Sequence, residues 1–190
     1  CIFSGTVTAT KTGTTSDASS GNNIFNNNTT ITNAGAGYIL LGSGNADQFN
    51  SAATFNNTGS SYIYVAHNSS NNIFAGVTTF NNTPVGNTAI YVSAYSANTV
   101  FNENIVVTST GGQGVLFCTS NTTASATLAA GKTISIGGAG FSSGTLLLRQ
   151  FTQTGSTPQT LSLTGSGVLT FGPSSSFGGN VTSTSPGLYF

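Results

Sequence analysis

The segment 140–144, Gly-Phe-Ser-Ser-Gly, matches the G-x-S-x-G nucleophile elbow, in which a serine attacks an acyl group. That chemistry requires a helix directly after the serine and a histidine that takes its proton. No helical periodicity follows Ser142. The chain's one histidine, His67, comes three coils earlier in the repeat described below, about 14 Å away along the axis. The sequence therefore predicts a Gly/Ser corner at this segment and no hydrolase site.

The segment 131–133, Gly-Lys-Thr, resembles the end of a phosphate-binding P-loop. The first glycine of that motif would fall at Ala126, and the residues after Thr133 alternate as a strand where the motif needs a helix. His67 lies among Asn and Ser residues, with no Asp or Cys in the same coil. We therefore expect no phosphate site, no catalytic or metal-binding role for His67, and no cofactor.

The acidic residues Asp17, Asp47 and Glu103 fall in different coils, so no two carboxylates can act as an acid and base pair or share a calcium ion. Charged residues make up only 3% of the chain, and no basic stripe could attract a phosphate backbone. No run of 18 apolar residues occurs either. The sequence thus predicts neither enzymatic activity, nor nucleic-acid binding, nor membrane insertion.

The surface must instead be built from Ser, Thr, Asn and Gly, which favours association rather than solubility. Disorder is the first alternative for such a polar chain. However, 37% of the residues are hydrophobic and 13 are phenylalanines, which is enough apolar material for a core.

A long period is the main organising feature of the sequence. Apolar anchor residues recur every 22 to 27 positions, at Phe3, Phe25, Phe49, Phe74, Phe101, Leu128, Phe151 and Phe177. A mean near 25 is typical of one coil of a solenoid. With three short alternating strands in each coil, we predict an all-β parallel β-solenoid of about eight coils, right-handed by the crossover rule. Residues 1–190 are then one module of a longer head-to-tail array.

Four residues after most anchors, a strand begins in which apolar residues alternate with threonine, so that one set points inward and the other outward. Asn33, Asn57 and Asn82 each stand eight residues after an anchor and are predicted to form a ladder of side-chain amides. Thr8, Thr30, Thr54, Thr79 and Thr133 are predicted to form an outward column.

A further alternating strand in each coil places aromatic residues outward. They form a stripe that we interpret as a lateral interface, although strands favour aromatic residues in any case. The predicted stripe consists of Tyr38, Leu40, Tyr62, Tyr64, Tyr91, Phe117 and Leu147. Cys118 aligns with Leu41, Val65 and Val92 and is expected in the core, about four coils from Cys1 and too far for a disulfide.

Both ends of the sequence consist of strand-like residues without a polar cap. Open strand edges template pairing with another copy. We therefore expect axial stacking, head to tail, through Ile2, Phe3, Leu188, Tyr189 and Phe190.

Several segments resemble the tandem modules of giant bacterial β-strand-repeat surface proteins of the Bacteroidetes type. They are TVTATKTG, GNNIFNNNTTITNAGAGYILLG, TLAAGKTISIG, FTQTGSTPQTLSLTG and GPSSSFGGNVT. This resemblance covers nearly the whole chain and implies extracellular surface or filament material, with no catalytic residues to transfer.

The leading hypothesis is therefore a structural rod of an extracellular filament or adhesin whose partners are copies of itself. Ice binding through the threonine columns is an alternative, although Asn56, Asn81, Val106 and Ser135 interrupt them. Carbohydrate binding through the tyrosines is a third interpretation.

Overall fold

The chain folds as a stack of parallel strands. The computed structural model describes residues 1–119 and 123–190, and in these it contains strands and corners but no helix. The strands form a β-solenoid of about seven turns with about 25 residues per coil and three sheets, which confirms the predicted fold class. Gly and Asn occupy many corners because they tolerate positive φ.

The strands are numbered β1 to β24 along the chain and lie on three faces of the solenoid. The first face contains β1 (Ile2–Phe3), β4 (Ile24–Phe25), β7 (Gln48–Phe49), β10 (Ile73–Phe74), β13 (Thr99–Phe101), β16 (Ala126–Leu128), β19 (Phe151–Gln153) and β22 (Ser176–Phe177). The second face contains β2 (Val7–Lys11), β5 (Thr29–Asn33), β8 (Ala53–Asn57), β11 (Thr78–Asn82), β14 (Ile105–Ser109) and β17 (Ile134–Phe141), followed by the separate pair β20 (Gln159–Ser162) and β23 (Val181–Thr184). The third face contains β3 (Asp17–Ala18), β6 (Ile39–Leu40), β9 (Ile63–Val65), β12 (Ala89–Val92), β15 (Gly114–Phe117), β18 (Thr145–Leu148), β21 (Val168–Phe171) and β24 (Gly187–Tyr189).

The core is a column of phenylalanines from the first face. Phe25, Phe49, Phe74 and Phe101 pair in register and stack with ring centroids 4.6 to 4.9 Å apart. Rings from the second face, such as Phe55 against Phe49, meet this column edge-on. Stacked and edge-to-face pairs add to the stability that burial itself provides.

The predicted anchor register is wrong at the seventh coil. Leu128 pairs with Gln153, and Phe151 pairs with Ala126 two residues earlier. Both positions face inward because side-chain direction repeats every two residues. The large Phe151 ring therefore lies beside the small Ala126 side chain, and a buried glutamine occupies the anchor position.

The second face alternates as predicted. Ala53, Phe55, Thr78 and Phe80 are buried, whereas the threonines and asparagines between them are partly exposed. The alternation breaks at β17, where Val107 pairs with Ile136 but Ser109 pairs with Phe141. The surplus residues of β17 form a glycine-rich bulge, residues 137–140.

Candidate assembly surfaces

The residues that could carry chemistry lie apart from one another. Ser142 follows β17 in a corner, where its backbone N–H donates to Ser109 O (2.7 Å), and the chain continues directly into β18. The helix that a nucleophile elbow needs does not follow. His67 lies in the corner after β9 between the rings of Tyr64 and Tyr95, at centroid distances of 4.9 and 5.1 Å. Burial lowers the pKa of His67.

The three carboxylates have separate partners. Asp17 lies 3.9 Å from Lys11, and Glu103 forms an ion pair of 2.5 Å with Lys132 that lowers its pKa. Asp47 is buried and accepts hydrogen bonds from the backbone and side-chain amides of Asn23. Within residues 1–119 and 123–190, no three His, Cys, Asp or Glu side chains gather as metal ligands would.

The three asparagines of the proposed ladder lie in register and are fully buried. Asn57 Nδ2 donates to Asn82 Oδ1 (2.9 Å) and to Ser61 O (2.8 Å). Asn33 and Asn82 instead use their amides to satisfy corner carbonyls, those of Gly37 and Gly111 among them. The asparagine side chains therefore hydrogen-bond mainly to backbone carbonyls of the corners, in their own coil or in the next one. The bond from Asn57 to Asn82 is the one direct link between two side-chain amides.

The predicted aromatic stripe needs one correction, because Phe117 is fully buried in the core. The strand β15 begins at Gly114, so Leu116 pairs with Tyr91 on one side and with Leu147 on the other and takes the outward position. Phe117 instead pairs with Val92 on the inward side. The predicted alignment of Cys118 with Val92 is wrong for the same reason, although Cys118 is buried.

The two cysteines are both free, Cys1 exposed and Cys118 buried. Burial raises the pKa of the Cys118 thiol to about 12, so this side chain behaves as a small apolar core residue.

The remaining stripe residues lie on the outer surface of the third face. Leu40, Tyr64, Tyr91, Leu116 and Leu147 form one column in register, each of them partly exposed. Tyr38 and Tyr62 lie one residue before the inward positions Ile39 and Ile63. Tyr95, in the corner after β12, extends this surface and was missed because it lies outside any alternating strand.

The two ends of the stack expose apolar strand edges. β1, β2 and β3 have a partner on one side only, and so do β22, β23 and β24. Ile2 and Phe3 are both exposed, at 69% and 37%. At the other end Leu188, Tyr189 and Phe190 are exposed, and Phe171, Phe177, Val181 and Phe190 line a shallow apolar pocket.

The outer surface of the second face is polar. Thr8, Thr30, Thr54 and Thr79 pair in register along it. The prediction of Thr133 in this column is wrong, because Val106 and Ser135 continue it. In the next column Asn81 Nδ2 donates to Asn56 Oδ1 (2.9 Å), and Asn56 Nδ2 donates to Thr32 Oγ1 (3.4 Å). This column, together with Gly137 and Gly138 of the bulge, lines a shallow groove.

No protein-family model, no curated protein and no solved structure matches this chain. In the part of the chain that the structure describes, no helix is long and apolar enough to span a membrane. The function is therefore argued from the surfaces described above.

Proposed function

We propose that this chain is a structural segment of an extracellular filament or giant surface adhesin. Its coils continue head to tail by strand stacking, and neighbouring rods pack laterally through the aromatic stripe. The low charge supports this proposal, because few charged side chains oppose close contact between copies.

The register that the first and last coils of residues 1–190 share carries the proposal. At one end, Phe3 precedes the first residue of β2, Val7, by four residues. At the other end, Phe177 precedes the first residue of β23, Val181, by the same four residues. A coil stacked in this register would place Phe177 against Phe3 and continue the core column.

The proposed packing between neighbouring rods is supported by an outward apolar column that continues from coil to coil. The outward column of Leu40, Tyr64, Tyr91, Leu116 and Leu147 crosses five consecutive coils, and large contiguous apolar patches on soluble proteins mark interaction sites.

A pair of charges tests the head-to-tail register. Thr8 and Thr182 are exposed on end strands and would lie on adjacent rungs, about 4.8 Å apart, in the proposed joint. We expect Thr8→Lys with Thr182→Lys to weaken assembly through repulsion and Thr8→Lys with Thr182→Glu to restore it, both effects fading in high salt. Assembly is measured by sedimentation and by electron microscopy of filaments with an axial repeat of about 4.8 Å.

The matched control is Thr54→Lys, which places the same charge in the same column away from any joint. If the chain stays a discrete monomer at every concentration, or if the two double variants assemble equally, head-to-tail stacking of copies is wrong.

Ice binding is a second candidate, favoured by the register of Thr8, Thr30, Thr54 and Thr79 on one polar surface. It predicts thermal hysteresis in a dilute solution of the chain and its loss in Thr54→Lys. Absence of hysteresis in the unmodified protein removes this candidate.

A further inference from the structure

Five of the chain's six tyrosines lie in one cluster, which also contains its single histidine. The members of this tyrosine cluster are Tyr38, Tyr62, Tyr64, Tyr91 and Tyr95, together with His67. Tyr64 is central, because its ring contacts those of Tyr38, Tyr62, Tyr91 and His67 at centroid distances of 4.9 to 6.0 Å.

One pair in the cluster differs from the others in geometry. Tyr64 and Tyr91 pair in register on adjacent coils, and their rings stack with centroids 4.9 Å apart and planes 11° apart. The other tyrosine contacts are perpendicular or tilted, such as Tyr38 with Tyr64 at 90° and Tyr62 with Tyr91 at 53°. Tyr64 and Tyr91 are both partly exposed, so a small oxidant can reach them.

One hydrogen bond holds the Tyr91 ring of this pair, and another holds the neighbouring Tyr62. The Tyr91 hydroxyl donates to Gln113 Oε1 (3.3 Å), and Asn87 Nδ2 donates to the Tyr62 hydroxyl oxygen (2.9 Å) beside it. Burial, and to a lesser extent the neighbouring phenols, raise the pKa of Tyr64 to about 12. Burial also raises the pKa of Tyr91, so both rings are neutral phenols near pH 7 and do not repel each other.

We propose that Tyr64 and Tyr91 form a modification site at which one-electron oxidation couples the two rings into a dityrosine bridge between adjacent coils. Each phenol loses one electron and one proton to give a phenoxyl radical with spin density on the ring carbons ortho to the oxygen. The two ortho carbons form a carbon–carbon bond, and restoring the phenols gives a product with two hydrogen atoms fewer. With a haem peroxidase and hydrogen peroxide as the oxidant, the peroxide is reduced to two water molecules.

Proximity makes the coupling selective. Two radicals on separate chains must first meet, whereas the register of β9 and β12 holds these rings one rung apart. Tyr189 lies at the far end of the stack and has no tyrosine ring against it among the described contacts. The bridge would link two tyrosines 27 residues apart in sequence and would hold their two adjacent coils together covalently. This inference does not depend on head-to-tail assembly.

The test treats the folded chain, diluted until it is monomeric, with horseradish-type haem peroxidase and hydrogen peroxide. We expect the intact mass to fall by two hydrogen atoms, dityrosine fluorescence to appear, and proteolysis to yield a peptide that links Tyr64 to Tyr91. Y64F and Y91F should each lower the yield by about tenfold or more, because the coupling partner is lost from its position. Y62F, which alters a tilted neighbour of the same pair, is the matched control and should retain most of the yield.

Denaturant provides a second measurement that needs no variant. The unmodified chain, unfolded in guanidinium and then oxidised by a small one-electron oxidant that also yields the link in the folded chain, should lose the selective Tyr64–Tyr91 link. Equal links among Tyr38, Tyr62 and Tyr95, an undiminished yield in Y64F, or the same linked peptide from the unfolded chain would overturn the proposal.

Discussion

Phe74 stacks on Phe49 with ring centroids 4.9 Å apart and planes 5° apart, and Phe101 continues the stack on its other side at 4.7 Å. Each ring is thus covered on both faces by the coils above and below it.

Replacing Phe74 with alanine should therefore lower the free energy of unfolding by about 3 to 5 kcal/mol, because the deletion leaves a cavity between two rings. Urea denaturation followed by circular dichroism measures the change. Ile73→Ala alters the same two-residue strand at its partly exposed position and should cost about 1 kcal/mol. Equal losses in the two variants would contradict a role for the ring stack.

The Asn82 side chain links its own strand, β11, to the corner at Gly111 and to Asn57 on β8. Its Nδ2 donates to Gly111 O (2.9 Å), and its Oδ1 accepts from Asn57 Nδ2 (2.9 Å). Asn82→Ala should cost about 2 to 3 kcal/mol, since it leaves a buried carbonyl and a buried amide without these partners. Asn81→Ala removes an outward asparagine that water can replace and should cost less than about 1 kcal/mol. The same denaturation measurement compares them.

Gly114 begins β15 at φ +100°, and a Cβ there would lie 2.2 Å from Thr145 O on the next coil. Gly114→Ala should therefore separate two coils locally and cost more than about 2 kcal/mol. Gly86 has a similar φ of +94° but open space around its Cα, so Gly86→Ala should show the backbone strain alone, about 1 kcal/mol. A loss as small as that of Gly86→Ala would show that the coils can separate without cost at Gly114.

Asp47 gives the fold a dependence on pH. Burial raises its pKa above the ordinary value of 3.8, and hydrogen bonds from Asn23 offset only part of that effect. A raised pKa in the folded state means that the stability contributed by this group is full below pH 3.8 and is lost as the pH rises through the folded-state pKa. Asp47→Asn keeps the Oδ1 acceptor and removes the charge, so its advantage over the unmodified protein should grow as the pH rises from about 3 to 7.

Denaturation midpoints at several pH values check this expectation. Asp17→Asn removes an exposed carboxylate and should change the free energy of unfolding by less than about 0.5 kcal/mol. A difference between Asp47→Asn and the unmodified protein that does not vary with pH would refute the assignment to Asp47.

The fold could be predicted from the sequence because its period is marked by large apolar residues, whose exposure to water would cost much free energy. Phe25, Phe49, Phe74 and Phe101 are large and rigid, and the alternation after each of them fixes which side of the strand faces inward. Where a strand lacks that alternation, the sequence does not indicate which residues face outward. Residues 115–118 are four apolar residues in a row, so nothing in their pattern distinguishes Phe117 from Leu116 as the outward residue.

The register at Gln153 could not be predicted for a different reason. A glutamine is an unusual core residue. Here its Nε2 donates to Thr157 O (2.8 Å), which closes the following corner, whereas its buried Oε1 has no hydrogen-bond partner among the described residues. The tyrosine cluster was visible only in part, since His67 and Tyr95 reach it from corners whose direction the strand period does not set.

The direction of the interstrand hydrogen bonds has a mechanical consequence. Because the strands lie across the rod, the ladders between coils run along its axis, and tension applied along that axis loads one ladder at a time. Each coil that detaches would release about 25 residues, or roughly 80 Å of contour length. When a single rod is stretched between two beads, its length should therefore increase in steps of that size. Each step would absorb mechanical work, so the rod would extend gradually under load before it breaks.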